Sequence, residues 1–412
     1  MKLALVVILG IIAGCKEEVP AKPPPPQVPT PASKAGEPSW YRGVLQAKQG
    51  EFQFLMRLPA PGTDGIALLK NGRDELERPA MWTGDRVRFE LPVFQTAVSG
   101  TRDASGALAG VFESHSRSWG ASSIPWTATP IAGPDLTLLA TVPDGAPIDL
   151  GAESTEWKLE MEEEGTVRMQ LAQVAPGNFE ATVMFANGNY SYLAGNGRGD
   201  RMVLTAFDGI GAMRLALTLS PDRATVTGEW LSGQHLDWRA RVTGNRATSV
   251  TLTSSQPSPH GKRIELPQLA DLAGKPVIVE LAGSWCSVCR NAAPVLRSIH
   301  DTYRARGLAI VTLLYEFTDD PVANREQAEL FTKTYDIPWK VEAVPGEPED
   351  LARIMPPGFE KVNISGFPIA LFLDANHTLV ALHAGFPAPG TPAHQEAVES
   401  YRKNTELIVR KP

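Results

Sequence analysis

The feature that most restricts the fold of this chain is Cys286-Ser287-Val288-Cys289, set between two segments of different periodicity. Before it, Pro276-Val277-Ile278-Val279-Glu280-Leu281-Ala282 is a short apolar run rich in β-branched residues, which reads as a buried strand. After it, Ala292, Val295, Leu296, Ile299 and Tyr303 recur at helical spacing. A strand, a tight turn and a helix that opens on two cysteines describe a redox site. The unpaired amides and the dipole at a helix N-terminus favour an anion, so a Cys286 thiolate is stabilised there. Thiols in such positions titrate at roughly 3.5–7.5. Cys289 stands one turn further on, placed to attack a mixed disulfide on Cys286.

The chain has only three cysteines, Cys15, Cys286 and Cys289, so it builds no disulfide framework. A zinc site, the other common use of this spacing, needs about four ligands. No second Cys pair exists, and His300, His377 and His383 do not fall at ligand spacing. Glu280 sits six residues before Cys286 in the apolar run. A carboxyl buried there has a raised pKa and can take the proton from Cys289 when that thiol becomes a nucleophile. The alternative is a solubilising pair with Lys275. Gly366-Phe367-Pro368-Ile369 precedes a second apolar strand ending Phe372-Leu373-Asp374, and Pro294 lies inside the helical pattern.

Residues from about 261 to 412 resemble the TlpA-like group of membrane-tethered thiol-disulfide oxidoreductases of thioredoxin fold. The resemblance rests on Gly274-Lys275-Pro276, Trp285 to Cys289, Pro294, Gly366-Phe367-Pro368 and Phe372-Leu373-Asp374. It implies an α/β thioredoxin-like domain in which Pro368 is cis and faces the cysteines. Trp285, Phe367 and Pro368 then contact substrate. It also implies a helix-and-strand insertion within Thr318 to Pro357. Ser287-Val288 between the cysteines, Glu280 where Asn or Asp is frequent, and Ile369 after the proline depart from the commonest pattern.

The N-terminus carries one charge, Lys2, before an apolar run from Leu3 to Ala13. That run is shorter than the about 20 residues a membrane span needs and reads as a signal peptide over residues 1–14. Ile12-Ala13-Gly14-Cys15 resembles a bacterial lipobox, so Cys15 is the expected lipidation site. Lys16 follows, with no aspartate to signal inner-membrane retention, and the resemblance to Gram-negative lipoproteins then implies outer-membrane sorting. Residues 15–38 include Pro23-Pro24-Pro25-Pro26 and read as an extended tether of roughly 65 Å.

Residues 39–258 read as antiparallel β-structure, a barrel or sandwich. Alternation is clear in Glu51 to Leu55, Val87 to Leu91, Val167 to Leu171 and Met213 to Leu217. Turn signals recur at Gly62 to Gly65, Asn71-Gly72, Asn187-Gly188 and Gly195 to Gly197. A repeat is suggested over 39–135 and 155–245. Trp40 and Trp157 open the halves, Gly110 and Trp126 answer to Gly228 and Trp238, and these tryptophans are expected in cores.

A net charge of −7 and the lack of a basic stripe argue against nucleic acid. The expected function is therefore two-electron thiol–disulfide exchange with protein partners, without cofactor or metal, on a lipid-anchored protein facing the periplasm. By resemblance it acts as a reductant fed by an inner-membrane thiol donor. Two rivals remain. One is a thiol peroxidase of peroxiredoxin type, which needs an activating arginine. The other is a copper(I) delivery protein, with His383 and Met355 as candidate extra ligands.

Overall fold

The computed structural model describes residues 37–115, 121–139, 142, 144–151, 153–185, 190–233, 238–250, 261–316, 318, 320–344 and 367–409. Cys15, the proline tether, Asn187-Gly188, Met355 and Gly366 lie outside them.

The first barrel runs through β1 (Ser39–Ala47), β2 (Gly50–Leu58), β3 (Gly65–Asn71), β4 (Asp74–Thr83), β5 (Arg86–Leu91), β6 (Thr96–Arg102), β7 (Leu108–Ser114) and β8 (Ser122–Ile131). Each strand pairs antiparallel with the next, and β8 returns to β1. The second repeats this with β9 (Thr155–Met161), β10 (Gly165–Ala175), β11 (Asn178–Phe185), β12 (Tyr190–Arg198), β13 (Arg201–Phe207), β14 (Ala212–Leu219), β15 (Thr225–Gly233) and β16 (Trp238–Ala247), closed by β16 on β9. Closure leaves no unpaired edge, so short strands with one apolar face suffice. In β5, Val87, Phe89 and Leu91 point into the core while Arg86 and Glu90 face out.

Three readings of this region change. Glu51 to Leu55 alternates in sequence, yet Phe52, Gln53, Phe54 and Leu55 are all buried, because the outer face of β2 lies against the second barrel. Thr205 there donates to the Gln53 carbonyl at 3.0 Å. Gly195-Asn196-Gly197 is not a turn but the body of β12. A side chain at Gly195 would stand 2.1 Å from the Val203 carbonyl on β13, so the glycine permits a close strand approach. Finally, Gly110 pairs with Trp126 but Gly228 pairs with Val242, so Trp126 and Trp238 are not equivalent. Trp126, Trp157 and Trp230 fill barrel cores, while Trp40 is half-buried beneath the Arg57 guanidinium.

The barrels interlock. Phe207, at the end of β13, inserts among the first barrel's residues, 4.9 Å from the Phe54 ring and 5.0 Å from Phe112. Asn71 of the first barrel clamps the Phe207 backbone, donating to its carbonyl at 2.8 Å and accepting from its amide at 3.0 Å.

The remaining described chain forms a five-stranded sheet with helices. It comprises β17 (Val277–Ala282), α1 (Cys289–Tyr303), β18 (Ala309–Tyr315), α2 (Pro321–Thr334), β19 (Lys340–Val344), β20 (Ile369–Leu373), β21 (Leu379–Ala384) and α3 (Pro392–Val409), in sheet order β19-β18-β17-β20-β21. β17 is buried along its whole length, parallel to β18 and antiparallel to β20. Burial on both faces explains its unbroken apolar run. α2 and β19 are the excursion expected after Thr318. Asp320 starts α2, its carboxylate accepting from the amides of Val322 and Ala323 ahead of Pro321 in the first turn.

Candidate redox site

β17 delivers the chain to the turn Gly283 to Val288, and α1 carries it away. Cys286 lies in this turn, three residues ahead of Cys289, and α1 begins at Cys289 itself. The sequence had placed both cysteines inside the first turn of the helix. The electrostatic consequence stands: the amide of Cys289, at the helix start, points at Cys286 Sγ from 3.1 Å. The two cysteines are joined as a disulfide with Cα atoms 5.4 Å apart. Cys286 is 7% exposed and Cys289 is fully buried, so Cys286 is the sulfur that a partner reaches first. Pro294 sits inside α1.

The second wall is the start of β20. The Phe367–Pro368 bond is cis, and the Phe367 carbonyl lies 3.5 Å from Cys286 Sγ. The Phe367 ring is buried between Trp285, edge-on at 5.5 Å, and Tyr315, stacked at 5.7 Å. Phe367 therefore offers an incoming chain its backbone rather than its ring. Trp285 is half-buried and donates from its indole nitrogen to the Tyr315 carbonyl at 2.9 Å. These contacts bring together four of the residues selected from sequence: Cys286, Trp285, Phe367 and Pro368.

Glu280 is fully buried in β17 and makes no ion pair with the exposed Lys275. Thr312 donates to its Oε2 at 2.7 Å, and Trp339 donates to Thr312 in turn. Oε1 has no hydrogen-bond partner among the described residues. Desolvation pushes this carboxyl up to about 7. It makes no hydrogen bond to either sulfur, so a proton passing between Glu280 and Cys289 needs a bridging water.

Sequence reasoning missed Glu316, just past β18. It is buried and accepts from the Ser284 amide at 2.9 Å and the Ser284 hydroxyl at 2.8 Å. Burial pushes its carboxyl, too, up to about 7, against the pull of the Ser284 bonds. The available signal was an acidic residue closing an apolar strand, Ala309 to Tyr315, parallel to the one that leads to the cysteines. Because Ser284 is 1% exposed, Glu316→Ala strands two buried donors at about 1–3 kcal/mol each. Glu316→Gln keeps an acceptor and should cost less than about 1 kcal/mol. Urea unfolding of the two variants measures the difference, and equal losses would remove the anchoring role.

The arginine next to the pair and His383, two groups that the rival readings would call on, lie among the described residues, and Met355 does not. Arg290, the arginine next to the pair, is held by Asp74 at 2.6 Å and by the Ser287 carbonyl at 3.2 Å. His383 is half-buried against Tyr401 and Phe386 with Nδ1 3.1 Å from the Ser400 hydroxyl, its Nε2 has no hydrogen-bond partner among the described residues, and desolvation pulls its pKa down to about 4.

No family model matches the chain. A thiol-disulfide oxidoreductase ResA of Bacillus cereus is 33% identical over 98 residues, which cover 24% of this chain and 49% of that protein. The ResA of Oceanobacillus iheyensis is 30% identical over 90 residues, 22% of this chain and 44% of that one. The chain thus spans about half the length of the curated relatives it matches. Among solved structures, a thiol:disulfide interchange protein of the thioredoxin family from Chlorobium tepidum TLS is 18% identical, with a TM-score of 0.28 over 38% of this chain and 98% of that one. The stretch shared with the ResA proteins is thus similar to thiol-disulfide oxidoreductases over about half of their length.

Proposed function

We propose that the protein exchanges disulfides with protein partners through Cys286 and Cys289, acting as a reductant on the periplasmic side of a bacterial envelope. The observation that carries this reading is the Cys286–Cys289 disulfide at the start of α1, with Cys286 Sγ facing the Phe367 carbonyl. In the dithiol form, the Cys286 thiolate attacks one sulfur of a partner disulfide. A mixed disulfide forms and the other partner sulfur leaves as a thiolate. Cys289 then loses its proton, with Glu280 as acceptor through water, and attacks Cys286 Sγ. The partner departs as a dithiol, and its two electrons have come from the pair. Trp285 and the backbone at Phe367 and Pro368 hold the partner chain.

Lipid attachment at Cys15 and the proline tether complete the proposal. Their support is the sequence Ile12-Ala13-Gly14-Cys15 and the tract from Lys16 to Glu37. An inner-membrane thiol donor would supply the electrons.

Trapping tests the exchange. Cys289→Ala, expressed in the periplasm of a bacterial host, should retain partners on Cys286 as reductant-sensitive adducts, while Cys286→Ala should retain none. Adducts on Cys286→Ala alone would reverse the two roles. No adduct on either variant would end the reading.

A further inference from the structure

The turn joining β3 to β4, Asn71-Gly72-Arg73-Asp74, touches both barrels and the redox sheet. Asn71 clamps Phe207, as above. Arg73 pairs with Glu180 of the second barrel at 3.0 Å and donates to the Gly390 carbonyl, just ahead of α3, at 2.6 Å. Asp74 reaches Arg290, the residue after Cys289. The Arg290 guanidinium is wedged: one nitrogen donates to Asp74, another to the Glu75 carbonyl at 3.3 Å, and Nε to the carbonyl of Ser287, between the two cysteines. The Arg290 and Asp74 side chains are 11% and 10% exposed, and they line a narrow cavity with Ser287 and Val288. Charges so placed are weakly screened by salt.

We propose that Asp74 is a positioning residue of the redox centre. Acting through Arg290, the first barrel supplies the counter-charge that sets the balance between the dithiol and disulfide forms. This rests on the exchange reading above. A cation in the first turn of α1 adds to the positive potential of the helix terminus, and that potential stabilises a Cys286 thiolate. The disulfide has no thiolate to stabilise. An uncompensated Arg290 therefore favours the dithiol and makes the pair more oxidising. Asp74 cancels that bias and keeps the pair reducing. The same turn locks the barrels together, so the charge at the cysteines depends on the docking of a domain remote in sequence.

The test is equilibration of the whole protein with glutathione, protein dithiol plus glutathione disulfide giving protein disulfide plus two glutathione thiols. Asp74→Asn should lower the equilibrium constant about tenfold, which is about 30 mV. Arg290→Gln should raise it by a similar factor, because Asp74 is then the unbalanced charge. The double variant should return to within about threefold of the parent, since the two changes share one interaction. Asp208, Glu75, Arg78 and Tyr335 also face this junction and are untouched by the variants.

Loosened packing alone would move both single variants the same way, and that result, or no shift in either, overturns the proposal. Should Asp74→Asn not accumulate folded, the sign of the Arg290→Gln shift decides: a rise supports the proposal, while a fall or no change ends it. If the parent protein itself does not equilibrate with glutathione, the exchange reading fails first.

Discussion

Glu280→Gln will slow release of the partner from the mixed disulfide, by about 10²–10⁴-fold where no other base substitutes. Attack by Cys286 will stay within a few-fold of the parent, because that thiol is served by the Cys289 amide at the start of α1 rather than by the carboxylate. An amide at position 280 can still accept from Thr312, so the fold is kept while the proton acceptor is lost. Rapid quench of a single turnover with insulin, followed by thiol labelling, separates the two steps; equal slowing of both, or of neither, would make Glu280 purely structural. A second readout has the opposite sign. The folded carboxyl is raised from 4.5 to about 7, so it is the neutral acid that the core accommodates. Its stabilising contribution is complete below pH 4.5 and is lost as pH rises through 7, by about 3 kcal/mol in all. Glu280→Gln, neutral throughout, should therefore lose less stability than the parent between pH 5 and pH 8. Glu316 titrates with the same sign and keeps the flattening partial. Urea midpoints at the two pH values give this measurement.

Phe207→Ala is expected to cost about 3–5 kcal/mol, the range for truncating a fully buried phenylalanine. Phe207 belongs to the second barrel but is 1% exposed within the core of the first, where it meets Phe54 and Phe112. Its loss opens a cavity at the joint rather than in the middle of either barrel. Near-UV circular dichroism with urea unfolding checks the prediction. A loss below about 1 kcal/mol would mean that the barrels stand independently of this plug.

The redox centre was largely legible in the chain because its parts are local. β17, the turn and α1 are consecutive, and Cys286 and Cys289 are three residues apart across the start of α1. Phe367 and Pro368 were found from a distance only through the resemblance to thioredoxin folds, since a proline before an apolar strand is ordinary by itself. Glu280 stood out as a charge in an apolar run. Glu316 did not, since it closes its strand, where a charged residue is ordinary. Its partner Ser284 is 32 residues away and is met only once β17 and β18 pair.

What the sequence determined by itself, then, was the alternation within several of the barrel strands, the apolar run that makes a central strand, and the cysteine pair at a helix start. These depend on neighbours a few residues apart, where periodicity and backbone chemistry act. The tertiary structure alone decided that the strands close into two barrels, that Phe207 plugs the first of them, and that Gln53 is buried despite its polarity. It also decided that Asp74 stands against Arg290, 216 residues on. Such contacts depend on which surfaces exclude water together, and no local pattern encodes the partner of an exposed-looking aspartate in a hairpin turn.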